Sequence, residues 1–281
     1  MAIRIFTDGS SDLPKRILEQ LGIVQIPLPV HFEDEHFDSD MDLELFYNKL
    51  GSASVLPKTC SPSPSTFFNK FMSVDANEQI LCIALSSGLS STYHHAVMGK
   101  TMVEEEHPQR LPIEVLDSKN ASLGLGVLVY KAARMAKEGH SMHDLMQTMK
   151  RSIAEVKNYF VLDTLENVIK GGRLDRVRGA IASVLNIKLL MCASEEGTLE
   201  VLEKVRGTQN AIKKMIDRIG EAGHDFEKKV LAIGHSNCEE RAHEVMEMIL
   251  KRYPFKDVIV AEMGPVIGTY AGKGGILVSF A

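Results

Sequence analysis

The chain has no tryptophan and few aromatics, 6% of its residues. Its four cysteines, Cys60, Cys82, Cys192 and Cys238, lie far apart and form no CxxC pair. That spacing argues against a disulfide scaffold and against a zinc knuckle. No apolar run approaches the roughly 20 residues of a membrane span, so stable membrane insertion is not expected. Basic charge is not in excess: the formal net charge is −5. Nucleic acid is therefore not the expected partner, because phosphate binding needs clustered cations. No GxxxxGK[ST] segment is present to cradle a nucleotide. His31, His36, Asp38, Asp40 and Asp42 crowd together but match no zinc or EF-hand spacing, and read as a solvated acidic loop. The first residues enter a strand at once, with no apolar core of signal-peptide length, so a cytoplasmic protein is expected.

What is present is an ordinary globular composition of 281 residues, 44% of them hydrophobic. That length suits two domains. The 14 methionines suit irregular apolar space, chiefly core. Cys82 and Cys192 stand in apolar runs and read as core. In the first half, strands at 3–6, 80–85 and 113–116 alternate with helices at 13–21, 65–72, 91–105 and 121–137. That alternation predicts α/β architecture with a mainly parallel sheet. Asp12 is the expected N-cap of the first helix and Gly22 its stop. Residues 23–32, broken by Pro27 and Pro29, read as one edge or irregular strand. An acidic stretch at 33–44, a helix at 42–50 and a Pro-bearing loop at 59–65 follow.

Ser141 and Asp144 have capping-box spacing and open a helix over about 140–158. Beyond it, strands are expected at 159–162, 188–193, 199–205, 230–234, 258–263 and 275–280. Helices are expected at 165–169, 180–185, 208–219 and 236–253, the last with a second capping box from Ser236 to Glu239. This half reads as a mixed sheet with helices on one side. The division is an N-terminal α/β domain, 1–155, and a C-terminal α/β domain, 156–281.

Five segments carry candidate chemistry. They are 7–14, 59–63, 86–93, the basic glycine turn 170–174 and the glycine-rich stretch 263–275, read as a loop with no helix after it. The third is the most pointed. A buried strand running into Ser86-Ser87-Gly88-Leu89-Ser90-Ser91-Thr92 sets hydroxyls and free N–H groups at the carboxyl edge of a sheet. Such groups at a helix start favour an anion. Taken singly, each segment also fits a bland role: a helix cap, a C-cap turn or a positive-φ loop.

Taken in order, they resemble the DegV family of fatty-acid-binding proteins over essentially the whole chain. The family's TDSTxDLP appears at 7–14 with Gly9 and Ser10 substituted. Its TSQPS loop is Thr59-Cys60-Ser61-Pro62-Ser63, and its SSxLSGTY turn is 86–93 with Ser91 for Gly. Its VxDSxxxSxGxG pattern runs from Val115 to Gly126, its KGGR turn is 170–173 and its KVRG segment is 204–207. Its closing GPVIGTHxGPG is 264–274, with Tyr270 for His and Lys273 for Pro. Leu189 stands where Pro is usual.

The resemblance implies a DegV-like two-domain fold with a long-chain fatty acid bound non-covalently between the halves. Its carboxylate would meet Thr59, Cys60, Ser61, Ser90, the backbone of Ser91, and Tyr270, with Arg173 and Arg206 near the mouth. Helix 123–136 and segment 160–165 would line the acyl tunnel. No cofactor is implied. The partner implied is a separate fatty acid kinase subunit, to which the acid is presented for phospholipid synthesis; the chain itself would be a carrier and not an enzyme. The alternative is a serine-dependent lipid ester hydrolase, with Ser90 as nucleophile and His94 or His95 as base.

Overall fold

One apolar helix sits between two sheets, and the rest of the chain is arranged around it. The computed structural model describes residues 2–174 and 186–281, so the helix expected at 180–185 lies outside the described residues. The first sheet is wholly parallel and contains β1 (Ile3–Asp8), β2 (Val24–Ile26), β6 (Gln79–Ala84) and β7 (Ile113–Asp117) in the order β2-β1-β6-β7. Parallel pairing follows from the crossovers, which run through α1 (Lys15–Leu21), α3 (Pro64–Met72) and α4 (Thr92–Glu106). Both faces are covered, so central β6 is an unbroken apolar run with five consecutive buried residues. A small antiparallel sheet, β3 (Pro29–Phe32), β4 (Glu35–Asp38) and β5 (Lys58–Thr59), stands beside it. Helix α2 (Leu43–Ser52) follows, capped by the Asp42 carboxylate on Leu45 N–H at 2.9 Å.

The second sheet has six strands: β8 (Lys157–Val161), β9 (Ile187–Ala193), β10 (Leu199–Arg206), β11 (Val230–His235), β12 (Asp257–Glu262) and β13 (Ile276–Phe280). Their order is β10-β9-β8-β13-β11-β12, antiparallel except for the β11–β12 pair. Helices α8 (Thr208–Ala222) and α9 (Glu239–Leu250) bury their apolar stripes on one face. The other face is covered by α5 (Leu123–Lys137), which comes from the first half and packs on β1 and β6 as well as β11 and β13. Leu123, Leu125, Leu128 and Ala132 therefore share one apolar cluster with Ile5 and Ile83 on one side and Phe160 and Leu277 on the other. Each such leucine contributes about 1.5–3 kcal/mol by burial. The expected helices-on-one-side arrangement is thus incomplete: the second half supplies one layer, the first half the other.

Helix α6 (Met142–Glu155) opens with the expected capping box, Ser141 and Asp144 each bonding the other's backbone N–H. Other expectations need correction. Residues 23–32 form β2 and β3 in different sheets, because Pro27 ends the first ladder and Pro29 stands at the first position of the next strand. The acidic stretch contains β4, whose partner β3 supplies the ladder that its polar residues do not advertise. Ser236 caps no helix: its hydroxyl accepts from Gly275 N–H at 2.7 Å, and α9 starts only at Glu239. The stretch 263–275 holds a helix, α10 (Pro265–Ala271), with Pro265 in its first turn, where a missing N–H costs nothing. A short α7 (Glu166–Lys170) lies against α10. Cys82 is buried as expected, whereas Cys192 is only half-buried.

Asp12 is not an N-cap either. Pro14 precedes α1, and Asp12 turns inward with φ 51°. One carboxylate oxygen accepts from the Ser122 hydroxyl at 2.6 Å and the other from Gly264 N–H at 2.8 Å. Asp12 thereby ties the end of β1 to the start of α5 and to the start of α10. Asp8 does similar work nearby, accepting from Leu85 N–H at 2.7 Å and from the N–H and hydroxyl of Ser10. Burial raises both carboxyls above the usual range, Asp12 to about 7 from 3.8, with the Asp8 charge adding to the effect. Between these two values the folded chain holds a proton that the unfolded chain has lost. Stability from Asp12 is therefore complete below about 3.8 and is lost as pH rises through about 7. Asp12→Asn keeps an acceptor for Gly264 and a donor for Ser122 but cannot titrate. In urea unfolding, wild type should gain on the variant by on the order of 3 kcal/mol from about pH 7.5 to about pH 4.5. A constant difference across that range would refute the buried titration.

Candidate functional site

The carboxyl end of β6 turns sharply through Ser86. Its buried hydroxyl donates to Gly197 O at 2.7 Å, and its carbonyl accepts from Ser90 N–H at 3.1 Å. The turn delivers Ser90 and Ser91 to the start of α4, where the Ser90 oxygen accepts from Thr92 N–H at 3.3 Å. From the small sheet, β5 and the loop after it bring Thr59, Cys60 and Ser61 to the same place. Cys60 N–H donates to Pro29 O at 2.9 Å and keeps the loop on the sheet. The Ser61 hydroxyl lies 2.9 Å from the hydroxyls of both Ser90 and Ser91. From α10, the Tyr270 hydroxyl lies 2.6 Å from Thr59 Oγ1. The Arg173 guanidinium sits over the Tyr270 ring, 4.7 Å from its centre, with Nη1 donating to Gly171 O.

All seven residues named from the sequence—Thr59, Cys60, Ser61, Ser90, Ser91, Tyr270 and Arg173—line one cavity of about 380 Å³. Its other walls include Leu85, Leu89, Phe160, Leu162, Val168 and Leu277. One end is therefore rich in hydroxyls beside a helix start and a cation, and the remainder is largely hydrocarbon. Cys60 and Ser91 are exposed, so the hydroxyl end is also the end nearest solvent. Hydroxyls can turn their protons toward an incoming anion, and an α-helix start and a guanidinium add positive potential.

Some expectations fall away from this cavity. Arg206 is exposed at the end of β10 and does not line it. Segment 7–14 forms the Asp8 and Asp12 ties instead of the wall. Helix α5 lies behind the wall, and the residues just before it, Asn120, Ala121 and Ser122, take part. Phe160 and Leu162 do line the cavity as expected. Asn120, Ser122 and Asn158 line the cavity without having been expected there, and His95, named only as a candidate hydrolytic base, lines it too. The period-two pattern of β8 was the available signal for Asn158: Asn158, Phe160 and Leu162 share the cavity face, while Tyr159 and Val161 pack with α8.

The geometry disfavours a hydrolytic dyad. Ser90 Oγ lies against the hydroxyls of Ser61 and Thr92, while His95 Nδ1 is engaged with Pro62 O at 2.8 Å. Among the described residues no imidazole bonds the Ser90 oxygen, as a general base would. His31 and His36 pair with each other through Nδ1, and among the described residues no three His, Cys, Asp or Glu gather as a metal site. Nor, among the described residues, is any helix long and apolar enough to cross a membrane.

The tip of the β9–β10 hairpin closes on the Ser86 turn by backbone approach. Gly197 has φ 79°, and a Cβ there would stand 2.1 Å from Ser86 Oγ and 2.9 Å from Lys119 Cα. Gly139 also has positive φ, 86°, but open space around it. Gly197→Ala should therefore lower unfolding free energy by about 2–3 kcal/mol, against about 1 kcal/mol for Gly139→Ala. Equal losses in urea titrations would show that the hairpin tip does not depend on this contact.

Two α/β halves that enclose a chamber with a polar, anion-attracting end and apolar walls define a binding protein for an amphipathic small molecule. The sequence profile described as "Uncharacterised protein, DegV family" matches residues 2–281, and the chain belongs to the DegV family. A DegV domain-containing protein of Caldanaerobacter subterraneus is 34% identical over 99% of this chain and 98% of its own. A DegV family protein from Ruminococcus gnavus, solved with vaccenic acid, shares the fold with TM-score 0.92 at 31% identity, covering 99% of each chain. Another from Eubacterium eligens, loaded with heptadecanoic acid, superposes with TM-score 0.86 at 27% identity, again over 99% of each chain.

Proposed function

We propose that this chain binds a long-chain fatty acid non-covalently, with its carboxylate at the hydroxyl end of the cavity and its acyl chain along the apolar walls. Thr59, Ser61, Ser90 and Tyr270 donate to the carboxylate, the Ser91 backbone adds an N–H, Cys60 borders the head group and Arg173 supplies the nearby positive charge. The observation that carries this reading is the meeting of Thr59 with Tyr270 and of Ser61 with Ser90 at the polar end of a single apolar cavity. Charge-assisted hydrogen bonds suit a carboxylate head. Each buried CH₂ adds about 0.8 kcal/mol, so ten supply on the order of 8 kcal/mol before the cost of ordering the chain. The fatty acids held by the Ruminococcus and Eubacterium relatives support the same ligand class.

The two halves divide near residue 155 as domains 1–155 and 156–281, with the acid between them. The chain acts as a carrier in the cytoplasm, and its acid is presented to a separate fatty acid kinase that supplies the phosphoryl chemistry. The exposure of Cys60 and Ser91 at the head-group end gives such a partner its access.

Mass spectrometry of an organic extract of the purified chain should yield a long-chain acid in near-stoichiometric amount. Tyr270→Phe keeps the ring under Arg173 but removes the hydroxyl, and should weaken palmitate binding about tenfold. An extract without lipid, together with no thermal shift on adding palmitate or oleate, would sink the assignment. Acyl phosphate should form from the loaded chain and ATP only when a fatty acid kinase is added.

A further inference from the structure

The outer face of the small sheet carries a feature that the cavity does not use. His31 and His36 stand directly opposite each other on β3 and β4. They lie one step in from the Phe32–Glu35 pair that closes a two-residue turn, a position where opposing side chains come closest. Their rings are 4.5 Å apart and inclined by 82°, with the two Nδ1 atoms in direct contact. Val30, Phe32 and Phe37 point the other way, into the apolar cluster with Phe46 and Tyr47 of α2. The imidazoles are therefore on the solvent side, His36 exposed and His31 half-buried, and neither lines the cavity. Asp38, also exposed, follows on the same face of β4, roughly 6.6 Å beyond His36 along the strand. Lys58 stands opposite His31 on β5, but it is exposed, and its long side chain can keep the ammonium in water.

Two neutral imidazoles in this contact share one proton, with one Nδ1 donating and the other accepting. A metal cation can take the place of that proton. The donor's proton then passes through water to Nε2 of its own ring, both imidazoles stay neutral, and both Nδ1 lone pairs face the metal. Imidazole nitrogen suits zinc, copper and nickel, whereas magnesium and calcium take oxygen. Two such nitrogens on a tetrahedral zinc lie roughly 3.3 Å apart, a gap that a small turn of either ring supplies. Among the described residues three ready ligands do not gather here. Water, or the Asp38 carboxylate after a swing of its side chain, fills the remaining positions.

We propose that His31 and His36 form a surface site for one divalent transition-metal ion of the zinc and copper class, held through both Nδ1 atoms. The test is calorimetric titration of the full chain with zinc chloride and, separately, with copper(II) chloride. One ion should bind saturably, copper more tightly than zinc. Two imidazoles held face to face should bind about 100-fold tighter than one. His31→Gln and His36→Gln should therefore each cost about 100-fold, and the double variant little more, because a single imidazole gains nothing from its lost neighbour. The His36 side chain is exposed, so thermal melts of His36→Gln without metal should match wild type and separate lost affinity from lost fold. Absence of saturable binding of either metal to the wild-type chain overturns the proposal. So does binding that persists undiminished in both single variants, which would assign the ion to others of the ten histidines.

Discussion

Burial of α5 on two sides is the constraint on which the structure depends. A helix with apolar residues over most of its circumference cannot lie on one sheet and leave its other face in water. Here Leu125, Leu128 and Ala132 belong to a core shared by both sheets, so the halves are joined by hydrophobic burial as well as by chain connection. The covering layer that the second sheet lacks is supplied by a helix encoded before residue 138.

That arrangement has a chemical consequence at the seam. Just before α5, Asn120, Ala121 and Ser122 border a cavity between the two halves. Its walls come from β8, α7 and α10 on one side and from the Ser86 turn and the β5 loop on the other. Polar groups from both halves meet there, as in the Thr59–Tyr270 and Ser61–Ser90 contacts. The buried carboxylates of Asp8 and Asp12 stand outside the cavity. Their hydrogen bonds to Leu85, Ser122 and Gly264 hold in register the loops that carry the site.

Much of this was legible in sequence because local chemistry and tertiary demand agree. The Ile80-Leu81-Cys82-Ile83-Ala84 run is a buried strand whatever surrounds it, and the hydroxyls after it have to lie at its carboxyl edge. Ser141 and Asp144 cap a helix with no help from outside. The legibility ends where a residue's partner is remote. Asp12 and Ser236 both have N-cap chemistry just before a helix, and each is diverted to a distant backbone N–H, of Gly264 and Gly275. Residues 265–271 hold three β-branched residues and a glycine, and their helicity comes from packing on α2 and α7. Asn158 reads as a polar residue entering a strand, and nothing local says that Asn120 will be opposite.

The alternation of strands and helices, the hydroxyl-rich turns and, through their order, the family are all written in the residues alone. Those follow from short-range periodicity and from motifs whose parts are neighbours in the chain. Packing settled which hydroxyls touch, that Arg206 lies away from the cavity while Arg173 covers Tyr270, and that Asn158 meets Asn120. These contacts join residues many positions apart, and which of them form depends on how two sheets pack against one helix, a long-range burial that no local pattern encodes.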